Sequence, residues 1–464
     1  MAVVTPNAKT AGYVTPTSGV PLSHTAGVSS GSAAYQVLDP NSITGHRYRV
    51  EFLDTQVDSI DAAGVPHYSP DSTKWARVTT SYSVRDLQDI VESIVSLDTS
   101  VVVLTHKNII RSTAVVRNHA GAIVAPTDYI LNAELGNIRG ARAGSLPAGS
   151  YTLTYQYYPV WRSPNLQGTP FLADSKDTDV FDGVQLVFNN IWGVTKNDSA
   201  SGWIGKNAYV YNFSPVDLPL VTPPLKGYRK PSDYEIRFSN AIVDTSLSAD
   251  FYPPTPVNFR IFNTTDSTYA KFYFSSPIGA GYLSPLAEII LVEQDPRGSY
   301  SPTWDFFFVP KVGDPPDTVY NLTTGDKLVV KTRKPFEYGD AFEFLTVKPS
   351  IDDAKAKGDL LRVRVVPNPY VTASEFEPPL NPGITSGRGQ RKIDFIHLPA
   401  HATIKIFTSR GDHVVTLSHD GNIEDGTLSW DLKTYENLDV AYGVYFYVVE
   451  SPVGNKTGKI AIIK

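Results

Sequence analysis

The residues that come closest to a metal site in this sequence are acidic and lie between positions 174 and 182. Four aspartates stand there at short spacing: Asp174, Asp177, Asp179 and Asp182. Carboxylates clustered in a loop are the hard oxygen ligands that Ca²⁺ prefers. Because the spacing does not match the loop of an EF-hand, we favour a solvated acidic turn and keep Ca²⁺ as the alternative. No other cofactor is predicted.

Histidine, serine and cysteine give no catalytic pattern. His397 and His401 are four residues apart, but Leu398 and Pro399 between them predict a strand and turn rather than a helix face that could hold a metal. The sequence has no Gly-x-Ser-x-Gly nucleophile elbow and no cysteine. We therefore predict a protein without enzymatic activity. A hydrolase with two carboxylates far apart in sequence stays as a third hypothesis, because such a pair leaves no local motif.

Length and composition favour several β domains. A chain of 464 residues is too long for one core, and its 26 Tyr, 21 Phe, 35 Pro and 33 Gly are typical of many short strands joined by turns. The net charge of −6 comes without a basic patch, so nucleic acid is not an expected partner. The longest apolar runs have the length of a strand, so no transmembrane segment is predicted. The first residues have neither a basic start nor an apolar stretch, so no signal peptide is predicted there.

Alternating apolar residues predict strands along most of the chain. Tyr48, Val50 and Phe52 share one face of a strand, and a second stripe has the same period: Tyr151, Leu153, Tyr155 and Tyr157. The stretch 83–95 is the best helix candidate, because Val84, Leu87, Val91 and Ile94 recur at helical spacing; a buried strand end is the alternative. The predicted fold class is all-β, with tandem Ig-like or fibronectin-like sandwiches, an extended N-terminal arm and at most one or two short helices.

Composition shifts predict five regions. Residues 1–34 form an extended arm, and residues 35–232 form one or more β-rich modules with a hairpin-rich unit at 98–160. Residues 233–350 form an Ig-like sandwich, residues 351–362 a charged linker, and residues 363–464 a C-terminal Ig-like domain.

The predicted arm is rich in Thr, Ser, Gly, Ala and Pro, with a few isolated apolar residues: Val3, Val4, Tyr13, Val14 and Val20. Such a segment is flexible alone and becomes ordered when it adds as a strand to another surface. We expect these residues to contact a second copy of the chain. Packing on the arm's own chain is the alternative.

The last hundred residues carry an ordered series of motifs. The series begins with Val366-Pro367-Asn368-Pro369-Tyr370 and continues through Leu398-Pro399, Ile404-Lys405-Ile406-Phe407 and Trp430-Asp431-Leu432 to Ala441-Tyr442-Gly443-Val444-Tyr445 and Gly458-Lys459. This order resembles the Ig-like C-terminal domains of bacterial secreted proteins. It is similar to the domain of the flagellar hook-capping protein and to the type IX secretion sorting domain of Bacteroidetes-related bacteria. The prolines predict an extended entry, and Trp430 a core anchor.

The resemblance implies export across an outer membrane, with this domain as the address or as a retained β module. We therefore expect an extracellular or cell-surface structural protein that associates with itself as a filament, sheath or surface layer. The alternative is a non-catalytic accessory or adhesion region of a larger secreted protein that binds glycan or another surface. The partners expected are a second copy of the chain, the secretion machinery or a cell-surface glycan.

Overall fold

The structure is a computed structural model that describes residues 8–53, 56–60, 66–67, 76–78, 81–96, 98–163, 179–191, 194–218, 225–249, 252–278, 281–295, 298–371 and 391–463. Strands make up nearly all of its regular structure, which confirms the predicted all-β fold class. The described residues contain one α-helix, α1 (Asp353–Asp359), and four 3₁₀ turns: Pro40–Ser42, Arg111–Thr113, Asp198–Ala200 and Leu360–Arg362.

The strands are numbered in chain order. Those before residue 160 are β1 (Tyr13–Val14), β2 (Val20–Pro21), β3 (Ser23–Ala26), β4 (Ser32–Val37), β5 (Arg47–Phe52), β6 (Gln56–Ile60), β7 (Pro66–His67), β8 (Ala76–Val78), β9 (Tyr82–Asp86), β10 (Ile90–Ser96), β11 (Val102–Val103), β12 (Val115–Asn118), β13 (Tyr129–Asn132), β14 (Asn137–Gly140) and β15 (Gly149–Tyr155). Those from 180 to 309 are β16 (Val180–Phe181), β17 (Val184–Asn189), β18 (Thr195–Lys196), β19 (Gly202–Ile204), β20 (Val210–Pro215), β21 (Asp217–Leu218), β22 (Leu225–Lys226), β23 (Tyr234–Phe238), β24 (Asp244–Thr245), β25 (Pro256–Val257), β26 (Phe259–Asn263), β27 (Thr268–Tyr269), β28 (Lys271–Ser275), β29 (Glu288–Gln294) and β30 (Tyr300–Val309). The last are β31 (Lys327–Val330), β32 (Thr332–Arg333), β33 (Ala341–Leu345), β34 (Ser350–Ile351), β35 (Arg364–Val366), β36 (Tyr370–Val371), β37 (Ile393–Ile396), β38 (His401–Thr408), β39 (His413–Asp420), β40 (Leu428–Trp430), β41 (Gly443–Ser451) and β42 (Gly454–Ile463).

The chain divides into two compact units. The C-terminal unit contains residues 1–17, 39–44 and 347–464, and the large unit contains residues 18–38 and 45–346. The chain therefore starts in the C-terminal unit, continues into the large unit and ends in the C-terminal unit.

The first sandwich of the large unit is built from strands far apart in sequence. One sheet has the order β16-β17-β4-β2 and the other the order β3-β33-β5-β9. Their facing side chains are aromatic: Tyr35 lies 5.2 Å from Phe344, and Phe52 lies 5.5 Å from Phe188, between ring centroids. Strand β5 buries Tyr48, Val50 and Phe52, as its alternation predicts, because successive side chains of a strand point to opposite faces.

The hairpin module is inserted in the chain between β9 and β16. It pairs a sheet of order β10-β15-β12 with one of order β11-β14-β13. Leu153, Tyr155 and Tyr157 are buried in its core, and Tyr151 packs against that core, so the predicted stripe is confirmed as a core face.

The second sandwich is inserted between β17 and β33. Its sheets have the orders β19-β31-β23-β26-β27 and β20-β30-β29-β28, and their core extends from Val194 to Val330. The modules are thus nested in sequence rather than consecutive, and the second sandwich begins before the predicted boundary at 233. Short strands such as β19 and β20 find their partners about a hundred residues later in β31 and β30, which no local pattern indicates.

The predicted helix at 83–95 is wrong. These residues form β9 and β10, and Asp86 accepts a hydrogen bond from the Gln88 backbone N–H (2.8 Å) in the turn between them. Val91 is 66% exposed whereas Ile94 is 3% exposed, so the side chains alternate and share no helical face. The β-branched residues of this stretch favour strand over helix.

The C-terminal unit is a sandwich of sheets β35-β37-β40 and β36-β42-β41-β38-β39. Its core is formed around Trp430, Phe395 and Ile404, all fully buried. The predicted linker at 351–362 contains α1 and a 3₁₀ turn. The Asp352 carboxylate caps α1 by accepting a hydrogen bond from the Lys355 backbone N–H (2.7 Å), which satisfies one of the donors that a helix start leaves free.

Candidate assembly site

Residues 8–14, called the N-segment here, lie on the C-terminal unit and contain a turn at residues 11–12, where the Tyr13 N–H donates to the Thr10 carbonyl (3.1 Å). The residues of that unit that contact them are called the seat: 350–359, 398 and 422–427. Main-chain hydrogen bonds join the two at both ends. The Gly426 N–H donates to the Ala8 carbonyl (2.7 Å), the Ala11 N–H donates to the Leu398 carbonyl (3.0 Å), and β1 pairs antiparallel with β34. This is the chemistry of strand addition, in which the backbone supplies the contacts.

One carboxylate of the seat gathers several donors. The Lys9 ammonium lies 2.5 Å from Oε1 of Glu424, and the Tyr13 hydroxyl donates to the same oxygen (3.2 Å). The Asn41 side chain donates to Oε2 (2.6 Å). The hydrogen bonds from Lys9 and then Asn41 lower the pKa of Glu424. Because the Lys9 side chain is half exposed, this ion pair positions the N-segment more than it stabilises it.

A second carboxylate fixes the middle of the N-segment. The Gly12 N–H donates to Oδ2 of Asp359 (3.0 Å), and this bond is the main cause of the lowered pKa of that carboxyl. The Gly12 carbonyl accepts from the Asp352 N–H (3.0 Å). Both hydrogen-bonding groups of the Gly12 backbone are therefore used by the seat.

Two glycines allow the N-segment and the seat to approach closely. A Cβ at Gly12 would lie 2.6 Å from the Asp352 carbonyl oxygen and 2.7 Å from the Ala356 Cβ, and Gly12 has φ of +80°, which glycine adopts most readily. A Cβ at Gly426 would lie 2.7 Å from the Lys9 carbonyl oxygen. The fit thus depends on the absence of a side chain on both sides of the contact.

The predicted arm is divided between the two units. Val3 and Val4 lie outside the described residues. Tyr13 is buried and Val14 partly exposed in β1, whereas Val20 pairs with Tyr35 inside the first sandwich. Residues 20–37 supply β2, β3 and β4, so only the part before residue 18 lies on the C-terminal unit. Contact of these residues with a second copy stays a prediction.

The acidic cluster at 174–182 is only partly described. Asp174 and Asp177 lie outside the described residues, and Asp179 is exposed. Asp182 accepts hydrogen bonds from the hydroxyls of Tyr48 (2.7 Å) and Tyr157 (3.5 Å). Among the residues that the structure describes, no three His, Asp or Glu side chains are grouped so that they could hold a metal ion.

Sequence reasoning missed a buried polar cluster near Asp182. His46 Nδ1 lies 2.7 Å from Oδ2 of the fully buried Asp86, whose pKa is raised by burial. His106 stacks on Tyr157 with ring centroids 4.0 Å apart, and burial lowers the pKa of its imidazole. Donors and acceptors here are paired with one another across β5, β9 and the hairpin module, so the cluster joins these elements. Only the fold brings such distant residues together.

A pair of carboxylates on the second sandwich was also missed. Burial, and then the charge of Glu288, raises the pKa of Asp305 to about 7. Asp305 Oδ1 is buried without a hydrogen-bond partner among the described residues, and Glu288 accepts from the Tyr252 hydroxyl (2.8 Å). Asp305 can therefore hold a proton near neutral pH. The two residues lie on the neighbouring strands β30 and β29, and their separation in sequence gives no local signal.

The first motif of the C-terminal series ties two strands together. The bonds before Pro367 and Pro369 are cis, and the Asn368 side chain between them contacts β42: its amide donates to the Lys459 carbonyl (2.8 Å) and its oxygen accepts from the Ala461 N–H (3.0 Å). Tyr370 is buried and pairs with Ile462 in parallel. The motif thus fixes the entry of the chain at the sheet edge.

The later motif residues form the core and one strand pair. Trp430 is fully buried, and its indole N–H donates to the Lys433 carbonyl (2.9 Å). Gly443 begins β41, and the Tyr445 hydroxyl donates to the Ala441 carbonyl (2.7 Å). A Cβ at Gly458 would lie 2.3 Å from the Tyr447 hydroxyl, and the Lys459 ammonium lies 5.6 Å from the Phe446 ring centroid. The contacts of these residues lie within the C-terminal sandwich and stabilise it.

None of the helices in the described part of the chain has the length and apolar character needed to cross a bilayer. Comparison with protein-family models and with curated proteins finds no match.

Solved structures give matches of low similarity. PorZ of Porphyromonas gingivalis, described as an essential bacterial surface component of the type-IX secretion system, is 14% identical over 67% of this chain and 49% of its own, with a TM-score of 0.19. Dimeric latent PorU of the same bacterium is 11% identical over 65% of this chain and 39% of its own, with a TM-score of 0.15. The BSP domain of a biofilm-associated protein is 10% identical over 89% of this chain and 82% of its own, with a TM-score of 0.15. The chain spans about half the length of PorZ and about two fifths of the length of PorU.

Proposed function

We propose that this chain is a non-catalytic structural protein of the bacterial cell surface or exterior, and that copies of it associate by exchanging the N-segment. In the associated form, residues 8–14 of one copy occupy the seat of another. The observation that carries the proposal is the seat itself, which receives the backbone of residues 8–14 through main-chain hydrogen bonds and two glycine contacts.

The seat does not distinguish its own N-segment from that of another copy. Every contact described above would form equally in either case, so the two arrangements differ only in the chain that connects N-segment and sandwich. Exchange of an identical element between protomers is a low-cost route to association for this reason. The balance between the monomer and the exchanged form depends on protein concentration and on strain in the chain that connects the N-segment to the first sandwich.

The connection has the features of a hinge. Thr15, Thr17 and Gly19 are exposed, and a Cβ at Gly19 would have no heavy atom within 4 Å. Pro16 between the two threonines is buried, and the Gly19 N–H donates to the Tyr35 carbonyl (2.8 Å), so the change of direction falls at residues 15–17 and must expose Pro16. Donation from each copy to the next is a head-to-tail contact, and such contacts form open filaments when the rotation between copies does not close a ring.

The proposed location, at the bacterial cell surface or outside the cell, is based on the C-terminal unit. Its motif residues resemble those of secreted bacterial domains, and they build a complete sandwich with Trp430 at its core. A folded module of this kind can serve as an export address read by the secretion machinery. The proposal of a non-catalytic role is supported by the absence of cysteine and by the mutual pairing of the polar groups around Asp86 and His106.

Electron microscopy and light scattering on the purified chain test the proposal. The comparison is with a chain that lacks residues 1–17, because residues 20–37 belong to the first sandwich and their loss would unfold it. We expect oligomers or filaments from the full chain, growing with concentration, and monomers from the truncated one. A synthetic peptide of residues 1–17 should bind the truncated chain. Monomers from both chains at all concentrations would refute self-association.

A further inference from the structure

An open cleft of about 360 Å³ lies in the hairpin module, which belongs to the large unit. Its lining residues are Arg111, Ala114, Pro126, Tyr129, Ile130 and Leu131. Strand β13, which carries Tyr129–Leu131, is at the edge of its sheet, and Ala114 leads into β12 at the edge of the other. A volume of this size matches the lower range of small-molecule sites in proteins, roughly 300–1,000 Å³.

The cleft combines one cation with an aromatic ring and an apolar wall. Arg111 is exposed, and no ion pair or side-chain hydrogen bond joins it to another of the described residues. Tyr129 is half-buried, and Ile130 is 44% exposed on the same strand. A guanidinium without a carboxylate partner keeps its donors available, and it binds carboxylates with two parallel hydrogen bonds.

The charge around the cleft has the opposite sign to the charge of the chain. Arg139 is directly opposite Ile130 in the pairing of β13 with β14, on the sheet face away from Tyr129. The carboxylate next to Tyr129 in sequence, Asp128, lies 3.9 Å from the Arg142 guanidinium. Residues 90–155, which carry β10 to β15, contain five Lys or Arg and four Asp or Glu, whereas the whole chain has a net charge of −6. The module is thus slightly positive in a chain that is negative as a whole, which favours the approach of an anion.

We propose that this cleft binds a carboxylated saccharide, such as one hexuronate residue of an acidic polysaccharide. The sugar carboxylate pairs with Arg111, and the C–H face of the sugar ring packs on the half-buried Tyr129. A saccharide is favoured over an extended peptide because the cleft is short and open and offers one charge beside one ring, which suits one or two sugar residues. This site gives the chain a second means of holding to a surface, independent of the N-segment.

Calorimetric titration of the full chain with a tetragalacturonate probe tests the proposal, with neutral galactotetraose as the matched control. We expect the acidic probe to bind and the neutral one to bind at least tenfold more weakly. Arg111→Ala should reduce the affinity about two- to fivefold, because an ion pair at an exposed guanidinium is screened by solvent. Added salt should weaken binding further.

Two variants separate this site from general charge attraction. Arg410→Ala removes an exposed arginine of the C-terminal unit and should leave the affinity unchanged, whereas Arg111→Lys should restore only part of it because lysine lacks the planar pair of donors. Equal loss in the Arg111→Ala and Arg410→Ala variants would overturn the proposal. So would binding of both probes with one affinity, absence of binding, or a preference for an acidic peptide of equal charge.

Discussion

Gly426 faces the carbonyl oxygen of Lys9 so closely that a Cβ on Gly426 would lie 2.7 Å from that oxygen. Real Cβ contacts are longer, and the atom in the way belongs to the backbone, so the N-segment would have to shift to admit a side chain. At the same point the Gly426 N–H donates to the Ala8 carbonyl (2.7 Å). Gly426 therefore both leaves room for the backbone of the N-segment and donates a hydrogen bond to it.

Substitution of either contact glycine should release the N-segment. Gly12→Ala and Gly426→Ala are expected to abolish the proposed association and to make residues 8–14 accessible to protease. Gly121→Ala is the control, because Gly121 has the same φ of +80° as Gly12 but no neighbour within 4 Å of its would-be Cβ. Limited proteolysis and sedimentation measure the two effects. If Gly121→Ala acts as strongly as Gly12→Ala, backbone strain rather than the seat contact is responsible.

Trp430 should be the largest single contributor to the stability of the C-terminal unit. The side chain is fully buried, so Trp430→Ala removes a large apolar group, leaves a cavity and is expected to cost about 3–5 kcal/mol in the free energy of unfolding. Trp161 is 57% exposed, and Trp161→Ala should cost less than about 1 kcal/mol. Urea unfolding, monitored by circular dichroism, measures the free energy of unfolding of the two variants. Equal costs would contradict the assigned core.

Asp305 should make the large unit less stable as the pH rises. Its pKa is raised from 3.8 to about 7 in the folded protein, so the folded state holds the proton more tightly than the unfolded state between about pH 4 and 7. The contribution of the Asp305 carboxyl to the free energy of unfolding is therefore fully present at pH 4 and is lost as the pH rises through about 7. Asp305→Asn should stabilise the protein by about 1–2 kcal/mol at pH 8, after allowance for solvent screening, and by nearly nothing at pH 4.

Thermal unfolding at the two pH values measures this difference. The exposed Asp317→Asn is the matched control and should change the unfolding temperature little at either pH. An Asp305→Asn chain that is less stable than the wild type at pH 8 would show that the carboxylate is needed in its charged form.

His419 should make the C-terminal unit sensitive to acid. The side chain is 6% exposed, its Nε2 is buried without a partner among the described residues, and burial lowers its pKa below 6.5 despite the opposing charges of Asp425 and Asp420. His401 also faces it and adds to the lowering. The unfolded state thus binds the proton more readily, and stability falls as the pH falls through 6.5.

His419→Phe should remove this part of the acid sensitivity, because the ring keeps a similar size and cannot be protonated. Urea midpoints at pH 7.5 and pH 5 measure the effect, with the exposed His119→Phe as the control. If the variant and the wild type lose the same stability between the two pH values, another group is responsible for the acid sensitivity.

The sequence predicted the faces of strands better than their partners. The alternation in β5 and β15 is local, so the buried sides of Tyr48 and Leu153 were correct. The nesting of the modules depends on pairs such as β5 with β33, in which Val50 lies opposite Phe342, and the alternation of either strand alone fits many partners. At 83–95 helical spacing arose by chance across a turn between two strands.

The candidate site was predictable only in part. Composition marked the first residues as an extended arm and Tyr13 as one of its apolar contacts, but the seat is assembled from 350–359 and 422–427 and depends on glycine gaps that no motif reveals. Asp86, His106 and Asp305 acquire their shifted pKa values from burial, which follows from the fold and not from their neighbours in sequence.

Exchange of the N-segment is tested most directly by cross-linking between two differently marked chains, which is clean because the chain has no cysteine. One chain carries Ala8→Cys and the other Thr427→Cys, positions joined by the hydrogen bond from the Ala8 N–H to the Thr427 hydroxyl (3.2 Å). A chain with both substitutions should close a disulfide, which controls for geometry. After mixing and oxidation we predict a disulfide-linked dimer of the two single variants, absent when either is mixed with wild type. Cross-linking confined to the double variant would show that the N-segment stays on its own chain and would contradict the proposed assembly.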